Sequence, residues 1–376
     1  MYSSRALGPL MEFEIEQPKF SSALALAQTV ADKRGTMPVL ANVLLRADDS
    51  GQVICSSTDM MISLTETIPA TVKKAGSLSL GVHHLYGIVR TLSNRAITIQ
   101  GLDNHWARLA VGRSEFKLMG MAELDFPELP KTEGHAFTKI PSHQLIDLIQ
   151  KTQFSVSTDE ARVNLNGVLF ESDGTYATMV STDGHRLTKL TVPFAGPKLE
   201  KGIIIPRKGM IEIKRVLDRA EGDVELAVGP DHLFIKADRL TLSVKLNNVT
   251  FPPYQQVIPK EHKLEATALR EELINALKTA AVMAPEKTAT VRVQLEENNL
   301  KLTADNPDLG VAHQEVEVDF QGKGLTAGFN ARYLIEVLEA ISSAQVRLQF
   351  QGELDPCVIR PVDGLDYLGV VMPMRI

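Results

Sequence analysis

Apolar and polar residues follow one another along this chain in an order that recurs. A stretch of alternating apolar and polar residues is followed by a stretch with the period of an α-helix, and then by further alternating stretches. In the clearest helical stretch, Val82, Leu85, Ile88, Val89 and Leu92 are spaced as one face of a helix requires. Alternation with period two predicts strands that bury one face. The pattern predicts six strand–helix–three-strand segments.

Six helices are predicted in this way. Ser142 is predicted to be the N-cap of the third helix, since a serine hydroxyl can accept from the first free N–H groups, and Pro206 suits the first turn of the fourth. Helices that alternate with runs of antiparallel strands indicate an α+β fold, as opposed to a doubly wound parallel sheet. The predicted helices are Ser21–Lys33, Val82–Ser93, Ser142–Thr152, a helix from Pro206, Ala268–Met283 and Ala331–Ser342.

A short string near the middle of each third of the chain shows that the chain repeats itself. Ser57-Thr58-Asp59, Ser181-Thr182-Asp183 and Thr303-Ala304-Asp305 lie at similar places in successive thirds, and Phe126-Pro127 recurs as Phe251-Pro252. The period exceeds the roughly 20–50 residues of solenoid units. We therefore predict an extension at residues 1–10, expected to be disordered, and three copies of one domain at 11–134, 135–261 and 262–376.

Composition narrows the class of protein. The chain has 376 residues, a net charge of −6 and two cysteines, Cys55 and Cys357, which lie in different repeats. This spacing indicates neither a disulfide framework nor a zinc ribbon. No apolar run reaches the length of a membrane span, and residues 1–10 do not resemble a signal peptide. These features predict a protein of the reducing cytoplasm without a membrane partner.

Sequence motifs of common enzymes are missing. The chain has no P-loop, no G-x-G-x-x-G, no H-E-x-x-H, no G-x-S-x-G and no C-x-x-C. The adjacent His83 and His84 would face different directions on a helix, so we interpret them as part of a solvated helix face and not as metal ligands. We expect no enzymatic activity, no metal and no cofactor.

One segment, Thr182 to Leu187, has the composition of a site. Asp183 and Gly184 predict a tight turn that presents His185 and Arg186. From the residues alone, a structural turn and the rim of a binding site are equally good interpretations. A hydrolase that uses Asp183 and His185 is a third possibility, although no nucleophile accompanies them.

The predicted helices are more basic than the rest of the chain. With their flanking residues they carry a net charge of +5, which leaves −11 for all other residues. The ranges counted are Ser21–Arg34, Val82–Arg95, Ser142–Thr152, Arg207–Arg219, Arg270–Met283 and Asn330–Ser342. Solvated helix faces often carry lysine and arginine, which is one explanation. The other is that the helices gather on one basic surface, and such a surface attracts phosphate backbones without recognising a base sequence.

Several strings resemble a known family. Thr182-Asp183-Gly184-His185-Arg186-Leu187, Ile205-Pro206-Arg207-Lys208-Gly209 and Val371-Met372-Pro373-Met374-Arg375-Ile376 closely resemble the bacterial sliding clamp, the beta subunit of DNA polymerase III. The resemblance covers about residues 11–376. It implies the DNA clamp fold: three tandem copies of a duplicated βαβββ domain, joined head to tail in a ring-shaped homodimer whose helices line a hole for duplex DNA. It also implies a location in the cytoplasm, at the nucleoid.

The resemblance implies a pocket for short linear peptides between the second and third domains. Its partners would be the replicative polymerase, the clamp loader, repair polymerases, mismatch-repair proteins and ligase. One subsite would comprise Arg162, Leu165, Thr182, Gly184, His185, Arg186, Leu187, Pro252, Val257, Val370 and Met372. The adjoining subsite would comprise Asn330, Tyr333, Leu354, Pro356, Pro373, Met374 and Arg375.

Two more surfaces follow from the resemblance. Contacts with the DNA backbone, which would not depend on base sequence, are expected from Arg34, Arg207, Lys208, Lys33, Arg90 and Arg215. The dimer seam is expected to join Arg113, Phe116 and Leu118 of one subunit to Val282 and Met283 of the other.

The chain departs from the family pattern in places. Asn164 stands where an aromatic residue is common, and Gln256 replaces a common arginine beside Val257. Asp159 lies in a loop that often offers DNA a neutral side chain, and a common acidic cluster is reduced to Asp308 and Glu315. An altered pocket is what a clamp paralogue, specialised for drug resistance or repair, would have.

Overall fold

The computed structural model describes residues 10–33 and 35–375, and in it the chain forms two compact units. The first unit contains the described residues up to Lys139 together with Ile211–Lys245. The second contains Ile140–Met210 and Leu246 onward. Each unit is therefore built from two separate stretches of sequence.

The described residues contain six α-helices and 25 β-strands. The helices are α1 (Gln17–Val30), α2 (Val82–Val89), α3 (Ser142–Thr152), α4 (Arg207–Leu217), α5 (Arg270–Ala281) and α6 (Ala331–Glu339). The strands up to the start of α3 are β1 (Met11–Glu16), β2 (Asn42–Asp48), β3 (Gln52–Thr58), β4 (Ile62–Pro69), β5 (Thr71–Lys74), β6 (Gly76–Gly81), β7 (Ala96–Gly101), β8 (Trp106–Val111), β9 (Ser114–Met121) and β10 (Thr138–Pro141). Between α3 and α5 lie β11 (Gly167–Ser172), β12 (Tyr176–Thr182), β13 (Arg186–Pro193), β14 (Ile203–Pro206), β15 (Asp223–Val228), β16 (His232–Ala237), β17 (Leu240–Lys245) and β18 (Leu264–Leu269). The last strands are β19 (Thr290–Glu296), β20 (Asn299–Asn306), β21 (Gly310–Asp319), β22 (Leu325–Asn330), β23 (Gln345–Phe350), β24 (Cys357–Pro361) and β25 (Asp366–Val371).

The predicted strand–helix–three-strand segment occurs six times. Each of the six helices follows one strand directly and precedes three others, and β5 is the one additional strand in the described part of the chain. The α+β class and the duplicated βαβββ arrangement are therefore confirmed.

Each unit has its own sheet. In the first, strands lie side by side in the order β15-β16-β17-β4-β3-β2-β6-β9-β8-β7-β1-β5. In the second, the order is β14-β11-β12-β13-β25-β24-β23-β18-β21-β20-β19-β22. β4 pairs with β17 and β13 pairs with β25, so hydrogen-bonded ladders join strands from successive predicted domains. These ladders explain why the compact units differ from the three repeats, whose boundaries stay a prediction.

The cores lie between the helices and one face of each sheet. In the first unit Phe13, Phe20 and Leu24 are fully buried in one apolar cluster with residues of α2. In the second, Leu277 of α5 and Leu338 of α6 are buried among the strands of that unit. The helical spacing of apolar residues in the sequence gives each helix the apolar face that it buries here. No helix among the described residues is long and apolar enough to cross a membrane.

Several predicted element boundaries are wrong. α1 begins at Gln17, ahead of the predicted Ser21, because Pro18 occupies its first turn. Ser142 is not an N-cap: Pro141 holds that position, and Ser142 is a buried residue of the helix. Pro206 ends β14, where it pairs with Gly167, so that α4 begins one residue later.

Candidate functional site

The turn between β12 and β13 is held by its own polar side chains. Thr182 Oγ1 donates to the carbonyl of Arg186 at 2.6 Å and accepts from the N–H of Gly184 at 3.0 Å. Asp183 Oδ1 accepts from the N–H groups of His185, at 2.9 Å, and of Arg186, at 3.0 Å. Gly184 has a φ of +90°, which is in the left-handed region that favours glycine.

The first unit contains the same turn between β3 and β4. Thr58 Oγ1 donates to the carbonyl of Ile62 at 2.8 Å, and Asp59 Oδ1 accepts from the N–H groups of Met61 and Ile62. Met60, with φ +73°, stands where the other turn has Gly184. In these two repeats the Thr-Asp string therefore closes the second strand. The third string, Thr303-Ala304-Asp305, lies within β20, where Asp305 pairs with Val311.

This geometry disfavours a hydrolase built on Asp183 and His185. Both carboxylate oxygens of Asp183 are engaged, since Oδ2 also accepts from Arg186 Nε at 3.1 Å. A carboxylate that already accepts three N–H groups within its own turn is poorly placed to orient a catalytic histidine. The turn is structural, and what it presents is Gly184, His185 and Arg186.

Arg186 is the centre of a buried polar cluster. Its side chain is 8% exposed, and its Nη2 donates to the carbonyl of Phe154 at 2.7 Å. Its Nη1 donates to Glu336 of α6. The guanidinium lies over the ring of Tyr333, with Cζ 4.4 Å from the ring centroid, which is a cation–π contact. Arg186 thereby ties the turn to α6.

Beside this cluster lies an apolar groove of about 260 Å³. It is bounded by the turn, by β13 and β25, and by the segment that follows Phe251. Nine residues of the first predicted subsite line it: Leu165, Thr182, Gly184, Arg186, Leu187, Pro252, Val257, Val370 and Met372. Three others that also line it, Pro253, Tyr254 and Gln256, were not in the predicted set. The backbone of Met372 is held against the turn, because its N–H donates to the carbonyl of His185 at 2.9 Å.

The two remaining residues of that subsite, Arg162 and His185, line a neighbouring polar cavity of about 320 Å³. Arg162 Nη1 donates to the carbonyl of Asp183 at 2.9 Å, so the arginine covers the turn from outside. The ring of His185 is stacked against that of Tyr333, with the two ring centroids 6.4 Å apart. Arg207, which was predicted to contact DNA, lines the same cavity.

The second predicted subsite lies around the start of α6 and the C-terminal residues. Asn330 is the N-cap of α6, and its side chain accepts from the N–H groups of Arg332 and Tyr333. Met374 adds a β-bridge to the edge of β22, donating its N–H to the carbonyl of Gly328 at 2.8 Å. Leu354 is 79% exposed. Pro356 and Pro373 are half-buried, and Arg375 is exposed.

Two tyrosines, Tyr254 of the groove and Tyr333 of the polar cavity, have raised pKa values. Burial, and then the hydrogen-bonded Glu171, raises the pKa of Tyr254 to about 12. Burial and the charge of Asp183 raise the pKa of Tyr333. Both hydroxyls are therefore protonated at neutral pH, and they can donate a hydrogen bond but carry no charge. In the described residues no cluster of three or more His, Cys, Asp or Glu could hold a metal ion.

The predicted DNA-contact residues are mostly exposed. Arg34 lies outside the described residues. Lys33 follows α1, and Arg90 follows α2 with its guanidinium 5.8 Å from the ring of Tyr86. In the second unit Arg207 and Lys208 open α4, and both are exposed.

Arg215 differs from the others because it has a buried acidic partner. Its Nη1 donates to Oε1 of Glu212, whose side chain is 5% exposed. Glu212 Oε2 accepts from Thr29 Oγ1 of α1 at 2.6 Å. A helical wheel places Glu212 on the basic face of α4, but the structure buries it between α1 and α4, where it neutralises part of the charge of Arg215.

Both sets of predicted seam residues lie beside strands with a free edge. Phe116 and Leu118 of β9 pack on the core of the first unit, and Arg113 is exposed at the turn before β9. Within the described residues β9 pairs with β8 from Ser114 to Met119 and with β6 only at Gly120 and Met121.

The corresponding strand of the second unit is β21. It pairs with β20 from Gly310 to Glu317, and with β18 only at Val318 and Asp319 among the described residues. Val282, which follows α5, is 73% exposed, and Met283 is half-buried. The free edge of β21 was not predicted, because the spacing of residues in the sequence does not show which strands pair with one another.

Comparison with known proteins agrees with this architecture. Family models of the DNA polymerase III beta subunit match residues 11–130 (N-terminal domain), 139–253 (central domain) and 255–375 (C-terminal domain). The beta sliding clamp of Vibrio cholerae is 31% identical over 367 residues, which cover 97% of this chain and 100% of the relative. That of Caulobacter vibrioides is 33% identical over 375 residues, with the same coverage.

Solved structures agree as well. The crystal structure of the DNA polymerase III subunit beta from Pseudomonas aeruginosa has a TM-score of 0.92 to this chain and 31% sequence identity, covering 97% of this chain and 100% of that one. Family models match nearly the whole chain, and full-length relatives exceed 30% identity. The chain therefore belongs to the family of DNA polymerase III beta subunits, the bacterial sliding clamps.

Proposed function

We propose that this sliding clamp is a processivity factor that encircles duplex DNA as a head-to-tail homodimer and tethers DNA polymerases and repair proteins by their short linear motifs. The single observation that carries the proposal is the apolar groove beside the Thr182–Arg186 turn. Under this proposal each protomer contains three clamp domains, at 11–134, 135–261 and 262–376. The protein would act on DNA in the cytoplasm.

The chemistry of the groove suits a short apolar motif. Leu187, Val370 and Met372 provide an apolar floor, and methionine adapts to varied side chains. Val257 and Met372 are 49% and 39% exposed, so an occupant would remove apolar surface from water. The backbone of the turn and the Gln256 amide offer a few polar contacts that would orient a peptide. Polymerases, the clamp loader, mismatch-repair proteins and ligase would share this groove.

The free edges of β9 and β21 support a head-to-tail dimer. An exposed strand edge is a template for pairing with another chain. If β9 of one protomer pairs with β21 of its partner, each protomer uses a different edge at each seam, and such a heterologous contact closes into a ring when the rotation permits. Phe116 and Leu118 would then meet Val282 and Met283 of the other protomer.

The exposed cations suit contacts with a DNA backbone. Lys33, Arg90, Arg207 and Lys208 are long, exposed side chains, which attract phosphates without recognising bases. Weak contacts of this kind would hold the duplex and still let it slide. Arg215 would contribute less, because Glu212 already neutralises part of its charge. No catalytic step is proposed for this chain, and opening the ring would fall to an ATP-driven loader.

Retention on DNA tests the ring. Purified protein is loaded by a clamp loader onto circular and linearised plasmids at moderate salt. We expect retention on the circle and loss from the ends of the linear molecule. Equal release from both, or binding that depends only on salt, contradicts encirclement and favours a peptide-binding paralogue of the clamp.

Peptide binding tests the groove separately. The probe is a fluorescent peptide that carries glutamine and then leucine and phenylalanine, and its anisotropy is measured with wild type, Met372→Ala and Met60→Ala. We expect Met372→Ala to weaken binding roughly tenfold, which corresponds to about 1.4 kcal/mol. Met60, which occupies the equivalent turn in the first unit and is 53% exposed, is the control and should have no effect. An equal effect of both substitutions would place the peptide elsewhere.

A further inference from the structure

Two arginines of the second unit face one another across neighbouring strands. Arg347 of β23 is paired in register with Arg360 of β24. Their chain neighbours Leu348 and Ile359 line the interior of the core, so both guanidiniums project from the opposite face of the sheet. Both arginines are partly exposed. Like charges placed directly opposite destabilise a sheet when nothing neutralises them.

No described residue of the unit forms an ion pair with either arginine. Across residues 10–33 and 35–375, neither guanidinium forms an ion pair, and the Nε of Arg347 is buried without a hydrogen-bond partner. Glu265 of the adjacent β18 is occupied, since it accepts from Gln349 Nε2 at 2.7 Å and lies 3.2 Å from His262 Nε2. A buried donor without a partner is uncommon in folded proteins.

Asp366, at the start of β25, is occupied as well. Its Oδ2 lies 3.2 Å from Lys189 Nζ. The acidic side chains on the strands that flank the arginine pair are thus committed to other partners. In a chain with a net charge of −6, the pair is a local cationic site that lacks a counter-ion.

We propose that Arg347 and Arg360 form a docking site for a single carboxylate, supplied by a glutamate or aspartate side chain of a partner protein. Each guanidinium presents a planar fork of donors that matches a carboxylate, so the two oxygens of one carboxylate can accept from both arginines. Binding would neutralise the opposed charges through the terminal nitrogens of the two guanidiniums.

The surroundings favour a single protein carboxylate over nucleic acid. Glu265 and Asp366 flank the pair on either side, and their charges would repel an extended polyanion such as a DNA backbone. A single carboxylate meets the two arginines without running along the acids. The site is distinct from the groove, whose lining includes neither arginine. The two are close together, because Val358, two residues before Arg360 on β24, pairs with Val370 of the groove wall. The arginine site does not depend on the proposed peptide motif, although a partner held in the groove could reach it.

The test is NMR of the arginine Nε–Hε groups in the full-length ¹⁵N-labelled protein. The probe is an acetylated octapeptide amide of glycine with one central glutamate, and its control has glutamine in place of that glutamate. We expect the glutamate peptide to shift the Arg347 signal saturably and the glutamine peptide to leave it unchanged. Arg360→Gln should weaken the response at least tenfold. Arg292→Gln, which changes an exposed arginine of β19 opposite Thr303, should not alter it.

Three results would overturn the proposal. They are no shift with the glutamate peptide, an equal shift with the glutamine peptide, and a larger response to a short DNA duplex than to the peptide. The comparison of the two peptides uses only wild-type protein, so it holds whether or not Arg360→Gln folds. Because Arg360→Gln also removes the opposed charge, its melting temperature should equal or exceed that of wild type.

Discussion

Replacing Arg186 by methionine tests the assignment of this arginine as the link between the β12–β13 turn and α6. Methionine keeps most of the apolar stem and removes the guanidinium. The substitution deletes the hydrogen bonds to Asp183 Oδ2 and to the carbonyl of Phe154, the ion pair with Glu336, and the cation–π contact with Tyr333. Asp183 keeps its two backbone N–H donors, so the turn itself should still form.

The expected loss follows from burial. Removing one partner of a buried ion pair costs about 3–5 kcal/mol. Glu336 is 43% exposed and would be rehydrated. Loss of its ion pair with Arg186 should therefore lower the free energy of unfolding by only the roughly 0–1 kcal/mol of a surface pair. Asp183 is 16% exposed and stays largely out of water. We therefore expect a loss of about 3 kcal/mol in the free energy of unfolding. Lysine at this position should recover less than half, because an ammonium lacks the planar fork.

The assay must report on the second unit alone, since two units need not unfold together. Hydrogen exchange measured by mass spectrometry gives the opening free energy of peptides from β12, β13 and α6. Arg332→Met is the matched control, because Arg332 is exposed and its Nη2 makes only a long contact, 3.5 Å, with the carbonyl of Glu286. The assignment fails if Arg186→Met changes these opening free energies by less than about 1 kcal/mol, or if peptides of the first unit respond equally.

Three other predictions concern local structure. Met60→Gly should raise the free energy of unfolding by up to about 1 kcal/mol, and Gly184→Ala should lower it by about 1 kcal/mol. The reason is that both residues have a left-handed backbone conformation, which favours glycine. Urea unfolding measures both changes, and shifts of the same sign would contradict this prediction. Burial raises the pKa of Glu66 above 4.5, and a raised carboxyl pKa makes the ionised form destabilising above that value. Glu66→Gln should therefore raise the melting temperature at neutral pH, with the difference vanishing as the pH falls below about 4.5; a difference independent of pH would refute it. Asn330→Ala should cost about 1 kcal/mol because Asn330 caps α6, whereas Ser142→Ala, at a position that caps nothing, should stay within about 0.5 kcal/mol by thermal unfolding.

Much of the fold was predictable because it depends on local patterns. The apolar face of α2, with Val82, Leu85 and Val89 fully buried, is visible in the sequence as helical spacing. The errors in the predicted elements lie at their ends, because pairing with neighbouring strands determines where a strand ends. The sequence predicts a helix start at Pro206. In the structure Pro206 is the last residue of β14, because it pairs with Gly167 and so continues the ladder.

The groove was predictable for a different reason. Its residues come from segments far apart in the chain, such as Leu165, Pro252 and Val370, and periodicity alone would not have grouped them. The family resemblance supplied the grouping. It did not supply Pro253 and Tyr254, and it placed Arg162 and His185 in the groove, although they line the adjoining polar cavity.

Burial of charged side chains could not be read from spacing at all. Glu212 lies on the basic face of α4 in a helical wheel, but Thr29 of α1 supplies a hydrogen bond that allows its burial. Arg186 is adjacent to exposed His185 in sequence, and it is buried because Phe154, Tyr333 and Glu336 surround it. A charge is buried only where partners from other elements satisfy it.

The sequence by itself determined the six strand–helix–three-strand segments, the threefold repeat and the Thr-Asp turns, since each depends on residues close together in the chain. The tertiary structure alone decided which strands join across repeats, which edges of β9 and β21 stay free, and which charges lack a counter-ion. The joins across repeats depend on pairing between residues 100 or more positions apart, such as Ser63 with Ser243 or Thr188 with Gly369. Backbone hydrogen bonds are alike for every residue, so such pairings leave little trace in the sequence of either strand.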